Sequence, residues 1–261
     1  RVMERLRTGF GAAEVDRHHA SLPERYLRAT EAEPMERHFR LASLRGSAPV
    51  VLEWHDLPGG HATELTVVAS DRPGLFADLA GTLTANGVDI LSVDLWGRSD
   101  GTVIDTFRVA EQSGPRPIRQ ERRARVEAAL PAAVAGSLDV GEAVERWRSR
   151  SRPKTRRSWG RTARPATVRF DHEASATATV IEVKAEDRPG LAWTIAVTLA
   201  RLGLDISFAK VATAKALALD VFYVTDGLGR KLAAASLARV EAALLAALAA
   251  RGPAPTAKEV S

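Results

Sequence analysis

Ala69 to Ile90 reads ASDRPGLFADLAGTLTANGVDI, and Ala185 to Ile206 reads AEDRPGLAWTIAVTLARLGLDI. Both stretches hold D-R-P-G-L, an apolar run of helical period and then G-x-D-I, each mark displaced by 116 residues. A constant offset with no insertion identifies an internal duplication. A period this long describes two small domains rather than a stacked array.

The text around each motif extends the repeat. VVLEWH (Val50 to His55) alternates like a strand, and TVRFDH follows Ala166 at the same offset, with Phe170 in the place of Trp54. TELTVVA (Thr63 to Ala69) is rich in β-branched residues and predicts a second strand. Asp71 is placed to N-cap the helix that follows, with Pro73 in its first turn. Leu75, Phe76, Leu79, Ala80 and Leu83 recur at three and four and form its apolar face. Gly87 suits the left-handed residue that ends it. Val88 to Trp96 and Thr102 to Val109 predict a hairpin about Ser99-Asp100-Gly101, and residues 118–135 a second helix. The second copy repeats the order. Thr179 to Ala185 is a strand, and Leu191, Ile195, Leu199 and Leu202 line a helix ended by Gly203. Leu204 to Ala212 and Leu217 to Val224 form a hairpin, and Ala233 to Leu248 the last helix. The hairpin turn is one residue shorter, so Asp220 lies over Asp105.

This order predicts an α+β protein of two ferredoxin-like units, each an antiparallel sheet with helices on one face. A β-α-β-β-α-β unit needs a strand after its second helix. Residues 166–173 are expected to supply it to the first domain, with VVLEWH filling the corresponding edge of the second, so that the domains exchange strands. The expected divisions are a helical connector at 1–49, a first domain at 50–137, an Arg-rich linker at 138–165, a second domain at 174–250 and a disordered tail at 251–261.

Composition narrows the possibilities. The absence of cysteine excludes disulfides, thiolate nucleophiles and Cys-ligated zinc. No apolar run approaches the roughly 20 residues that span a bilayer, and no signal peptide opens the chain. A cytoplasmic location is the default. Beginning at Arg1, directly in helical text, the sequence looks like a piece of something longer. The net charge of +5 invites a nucleic-acid reading. However, Arg146 to Arg164 (RWRSRSRPKTRRSWGRTAR) holds nine Arg or Lys and no acid, and without it the chain is net negative. The basic character therefore belongs to one segment, expected to be a solvated tether. The rival reading makes it a nucleic-acid binder with Trp147 and Trp159 as stacking groups.

A strand ending in D-R-P-G-L and opening a helix presents free amides and a positive dipole end, which suits a carboxylate ligand. The glycine lets a ligand approach the backbone. The G-x-D-I that begins the next strand is expected beside that loop. The alternative is a helix start and stop needed only for folding.

DRPGL followed by GVDI or GLDI in this element order resembles the ACT domain, an amino-acid-binding regulatory module. With TVRFDHEAS, LDVFYVTDGLGRKL and the upstream LPERYL and MERHFRLA, nearly the whole chain resembles the C-terminal tandem ACT region of bifunctional uridylyltransferase/uridylyl-removing enzymes of bacterial nitrogen control. The resemblance implies a regulatory region that senses L-glutamine, with the PII signalling protein as the parent enzyme's target. It implies no cofactor in this chain and Mg²⁺ in catalytic domains elsewhere. Carried over, the candidate effector residues of the first copy are Asp71, Arg72, Pro73, Gly74 and Leu75 with Gly87, Asp89 and Ile90. Those of the second are Asp187, Arg188, Pro189, Gly190 and Leu191 with Gly203, Asp205 and Ile206. Ala214-Lys215-Ala216 departs from the Gly-Glu turn of related second copies.

No catalytic constellation accompanies these motifs. There is no nucleotide-cradling loop with a nearby D-x-D. The histidines are scattered, and His18 and His19 would point apart on a helix, so no metal site is expected. A tandem ACT regulator for another amino acid is the alternative within binding modules.

Overall fold

The computed structural model describes residues 2–150, 165–211, 213–214 and 217–250. Most of the basic stretch, Lys215-Ala216 of the departing turn and the tail at 251–261 lie outside the described residues. Four helices come first, α1 (Val2–Phe10), α2 (Ala12–Ser21), α3 (Glu24–Ala29) and α4 (Ala32–Arg45). The first domain follows with β1 (Val50–Asp56), β2 (Thr63–Ser70), α5 (Leu75–Ala85), β3 (Val88–Gly97), β4 (Thr102–Glu111) and α6 (Gln120–Val134). Helix α7 (Val140–Arg150) leads to the second domain. That domain comprises β5 (Thr167–Asp171), β6 (Thr179–Glu186), α8 (Leu191–Arg201), β7 (Asp205–Lys210), the short β8 (Thr213–Ala214), β9 (Leu217–Thr225) and α9 (Ala234–Ala249).

The sheets are antiparallel, ordered β1-β2-β4-β3 and β5-β6-β9-β7, with β8 beside β9. Their registers repeat, since Leu65 faces Phe107 and Ile181 faces Phe222. Each β3-type strand carries a bulge at the same place, between Ile90 and Ser92 and between Ile206 and Phe208.

The expected strand exchange does not occur. β5 pairs with β6 inside the second domain, and β1 pairs with β2 inside the first. The first strand of each repeat fills the edge for which a returning strand was sought. A local hairpin closes a short loop, whereas exchange would close a long one against a higher entropic cost. The linker is also not wholly a tether. Val140, Val144 and Trp147 follow i, i+4, i+7 spacing and pack α7 on the common core.

That core runs through both domains. β3 lies alongside β7, and α5 packs against α8. Phe76 of α5 stacks near Phe107 in its own sheet (6.2 Å between centroids) and also reaches Phe222 in the other (6.5 Å). At the helix seam Gly81 is the small residue that admits Trp193 of α8 and Val140 of α7. Behind α5, Arg122 donates to Asn86 O and pairs with the buried Glu111 (3.1 Å), whose carboxylate also accepts the Arg119 amide (3.1 Å). The guanidinium covers Gly87, so a β-carbon there would collide with it.

The connector has little core of its own, mainly Leu6, Val15 and Phe39. It uses the outer face of the first sheet instead, setting Leu22, Tyr26 and Leu41 against Val68, Trp96 and Ile104. His38 fastens this contact through Tyr26 Oη (2.9 Å) and Thr106 Oγ1 (3.3 Å). Burial lowers His38 from 6.5 to about 4, and burial followed by Arg98 does the same to His18. Both stay neutral in the folded chain and take protons once released. Their contribution is therefore complete above the unfolded value and is lost as pH falls from 6.5 towards about 4. Relative to the intrinsic exchange rate at each pH, the protection of α3 and α4 amides should fall across this window, and His38→Gln should weaken the dependence. Unchanged protection between about pH 7 and about pH 4.5 would contradict this account.

Candidate functional site

Each D-R-P-G-L loop leaves a buried strand and turns sharply. The Asp71 amide donates to Gly101 O (2.8 Å), anchoring the first loop on the β3–β4 hairpin. Leu75 N donates to Arg72 O and Leu191 N to Arg188 O, each at 3.1 Å. Gly74 and Gly190, both with φ 79°, complete the turns in a conformation that costs glycine least. The helices consequently start at Leu75 and Leu191, and Asp71 makes no capping bond. This corrects the expected cap: the Pro-Gly turn pushes the helix start downstream and leaves the Asp71 side chain exposed at the loop.

The G-x-D-I segments also sit elsewhere than expected. Asp205 and Ile206 of the second copy, not Asp89 and Ile90, line a cavity of about 90 Å³ with Asp71, Arg72, Gly74 and Leu75. In the counterpart, Asp89 and Ile90 join Asp187, Arg188, Gly190 and Leu191 around only about 10 Å³. The sites are crossed, each taking its loop from one domain and its strand from the other. The bulges fall in these strands, just after Asp89 and Asp205, where a bulge re-aims side chains. Asp205 is raised by burial and next by Asp71, and Asp89 is pushed up to about 6 by burial and next by Asp187.

A third acid in each site escaped the sequence reading. Asp105 on β4 is 3% exposed and Asp220 on β9 is 0% exposed. They line the first and second cavity respectively. Asp105 Oδ1 is buried without a hydrogen-bond partner, and burial, followed by Asp71, raises its carboxyl well above the usual range. The available signal was an acid at matching register in two otherwise apolar strands, TVIDTF and LALDVF. Leu75, Phe76 and Ala77 of the first turn also line the cavity. The Leu75 amide is taken by Arg72 O, and those of Phe76 and Ala77 have no helical carbonyl to satisfy them. The first cavity therefore offers carboxylates on one side, helix-start amides on another and Leu95, Ala196 and Ala200 between.

The remaining candidates divide. Arg72 turns back to Val134 O and Ala133 O (both 3.0 Å) and to Asp78 (2.5 Å), tying the loop to the C-terminal end of α6. Pro73 and Gly203 border a hollow beside the first cavity, with Gly74 and Asp205. Gly87 and Pro189 line neither cavity. The difference in volume has a specific cause. A β-carbon on Gly190 would lie 2.9 Å from Thr84 Cγ2, whereas one on Gly74 would lie 3.8 Å from Ala200 Cβ. Thr84 and Ala200 occupy equivalent places, 116 residues apart. The threonine crowds the second site, and the alanine leaves the first open.

Residues 63–127 and 179–242 match the ACT domain family. This chain is a tandem of ACT domains. A bifunctional uridylyltransferase/uridylyl-removing enzyme of Gluconobacter oxydans (strain 621H) is 35% identical over 226 residues, covering 85% of this chain and 24% of that protein. The enzyme of the same name in Azospirillum brasilense is 34% identical over 244 residues, covering 92% and 26%. The chain thus spans about a quarter of the length of these relatives. Among solved structures, aspartate kinase from Synechocystis aligns over 69% of this chain and 26% of its own, at 20% identity and a TM-score of 0.36.

In the ACT pair Trp147 packs on the core rather than standing free for stacking, which removes one support of the nucleic-acid reading; Trp159 lies outside the described residues. Among the described residues no helix is long and apolar enough to cross a membrane, and no group of three or more His, Cys, Asp or Glu is placed to hold a metal ion.

Proposed function

We propose that this tandem is the effector-sensing region of a bifunctional PII uridylyltransferase/uridylyl-removing enzyme, and that its effector is L-glutamine. The observation that carries the binding function is the crossed cavity of Asp71, Asp105 and Asp205 facing the first turn of α5. An amino acid presents an ammonium and a carboxylate, and this cavity provides the complement of each: acids for the cation, helix-start amides for the anion. The shared name of the relatives supports only the uridylyltransferase/uridylyl-removing parent; glutamine and PII rest on the motif resemblance.

A crossed site suits regulation because a ligand in it bridges the two domains. Any rotation of one domain on the other would be felt on the opposite face of the sheets. There the connector touches both domains: the Arg25 guanidinium lies 3.5 Å from the Phe208 ring centroid and 4.7 Å from that of Tyr223, and Trp96 lies 5.9 Å from Phe208. Coupling to upstream domains then requires two arrangements of this joint with different effector affinity.

Calorimetric titration with glutamine, glutamate and other amino acids tests the reading. The first site should dominate, so Ala200→Thr should weaken binding about tenfold or more by filling the space beside the loop. Asp205→Ala should match Asp71→Ala in effect although the two residues belong to different domains. Thr84→Ala should leave the first site unchanged and open the second. Glutamine binding unaffected by Ala200→Thr and Asp205→Ala would overturn the assignment. Selective binding of a different amino acid would retain the site and replace the effector.

A further inference from the structure

A second polar cleft, of about 660 Å³, lies between the connector and the β3–β4 hairpin, separate from both crossed cavities. Three guanidinium groups line it, Arg17 from α2, Arg45 from the end of α4 and Arg98 from the hairpin, with His18 and Ser21 between them. Arg98 is fixed: its Nε donates to Ser21 Oγ (2.8 Å), and it pairs with Asp100 at 2.9 Å. Arg45 reaches Ser70 Oγ with one terminal nitrogen (2.5 Å), but its Nε is buried with no acceptor. His18 is 6% exposed, its ring set edge-on to Phe39 at 4.7 Å, and its Nε2 is buried with no partner.

Two acids also border the cleft and are already engaged. Glu14 accepts from Ser43 Oγ (2.7 Å), and Asp100 accepts from the Thr102 amide (3.0 Å) as well as from Arg98. What remains unsatisfied is one guanidinium N–H and one imidazole nitrogen, beside two further arginines. Buried polar atoms of this kind ordinarily find partners. Guanidinium groups in a partly desolvated cleft suit the oxygens of a phosphoryl group better than a single carboxylate, because several donors can bind different oxygens at once.

We propose that this cleft binds a phosphoryl group, seated against Arg45, Arg98 and His18, from either inorganic phosphate or a phosphorylated metabolite such as a nucleotide. Its position gives the binding a consequence. The Ser99 amide donates to Ser21 O at 3.0 Å, so the ligand would clamp the connector to the hairpin. That hairpin also holds the amino-acid loop through Gly101 O and the Asp71 amide. A bound phosphoryl group would therefore stiffen the joint between the connector and the first crossed site, whichever amino acid that site accepts.

The test is a nuclear magnetic resonance titration of the full chain with inorganic phosphate, pyrophosphate and ATP in turn, following the His18 ring. The expected result is a saturable shift of the His18 resonances, with a rise in its pKa from about 4 as the anion favours the imidazolium. Arg45→Gln should weaken binding about tenfold, while circular dichroism verifies that the variant is folded. Saturation by ATP well below the concentration needed for phosphate identifies a nucleotide ligand; equal potency identifies free phosphate. A His18 ring unmoved by all three anions at millimolar concentration would overturn the proposal. So would shifts in Arg45→Gln that saturate at the wild-type anion concentration, since they would reflect association elsewhere, such as with the basic stretch at 146–164.

Discussion

Gly81→Leu is expected to destabilise the chain by about 3 kcal/mol, lowering the denaturant midpoint of unfolding, and to abolish effector binding in the fraction that still folds. A β-carbon at Gly81 would fall 2.6 Å from Trp193 Cδ1 and closer still to Val140 Cγ1. Neither neighbour can yield easily. Trp193 is 1% exposed and lies under Arg148, whose guanidinium is 4.9 Å from its ring centroid and whose Nη2 donates to Thr194 Oγ1 at 3.1 Å. Val140 begins α7 and is buried at the same junction. An intrinsic helix-propensity gain of at most about 1 kcal/mol on replacing glycine cannot offset that overlap. Gly81→Ala is the graded control and should lose about 1 kcal/mol net. Because α5 and α8 also carry the walls of the crossed cavities, pushing them apart separates loop from strand in both sites at once. A Gly81→Leu chain with wild-type unfolding and wild-type binding would mean that the helix seam is not what sets the domain pairing.

Much of this arrangement was legible because the repeat is nearly free of insertions. Strand and helix positions followed from period and turn residues, and two α+β units followed from their order. The way the units combine was not. Both copies carry identical marks, so nothing in D-R-P-G-L or G-x-D-I distinguishes a loop and strand meeting within one copy from a loop and strand meeting across the pair. The crossing is set by β3 meeting β7, a tertiary fact without a local signature. The strand exchange failed for a related reason. The β-α-β-β-α-β order calls for a returning strand at an edge that the first strand of each repeat already fills, and the short β1–β2 connection favours the local solution. Helix α7 has a weak local signature, since its apolar stripe of Val140, Val144 and Trp147 is interleaved with the charges of RWRSR. Asp105 and Asp220 were hidden by position, because an isolated acid in a strand is usually solvent-facing. Only the structure shows both turned inward, one of them without a partner on Oδ1.

Asp105 should make effector binding proton-linked, and this is the second large effect. In the free chain, burial and next the charge of Asp71 favour its protonated form. A bound ammonium beside it favours the carboxylate, so its pKa falls on binding and a proton is released. Linkage fixes the sign. Apparent affinity rises with pH up to the raised free-state value and levels off above it, by at most about tenfold per pH unit per proton released. Asp205, also raised by burial and next by Asp71, adds to the same trend. The stability of the free chain moves oppositely. A carboxyl whose folded pKa is raised contributes stability that is full below its unfolded value and disappears as pH rises through the folded one. Titrations in buffers of different ionisation enthalpy should therefore report proton release for the wild type. In Asp105→Asn the affinity should fall about 30-fold or more, as expected for removing a buried charge from an ion pair, and its pH dependence should flatten. The same substitution should relieve the free chain of a buried acid and raise its stability at neutral pH. Tight, pH-independent binding by both wild type and variant would place the ammonium elsewhere in the cavity, against Asp71 and Asp205 alone.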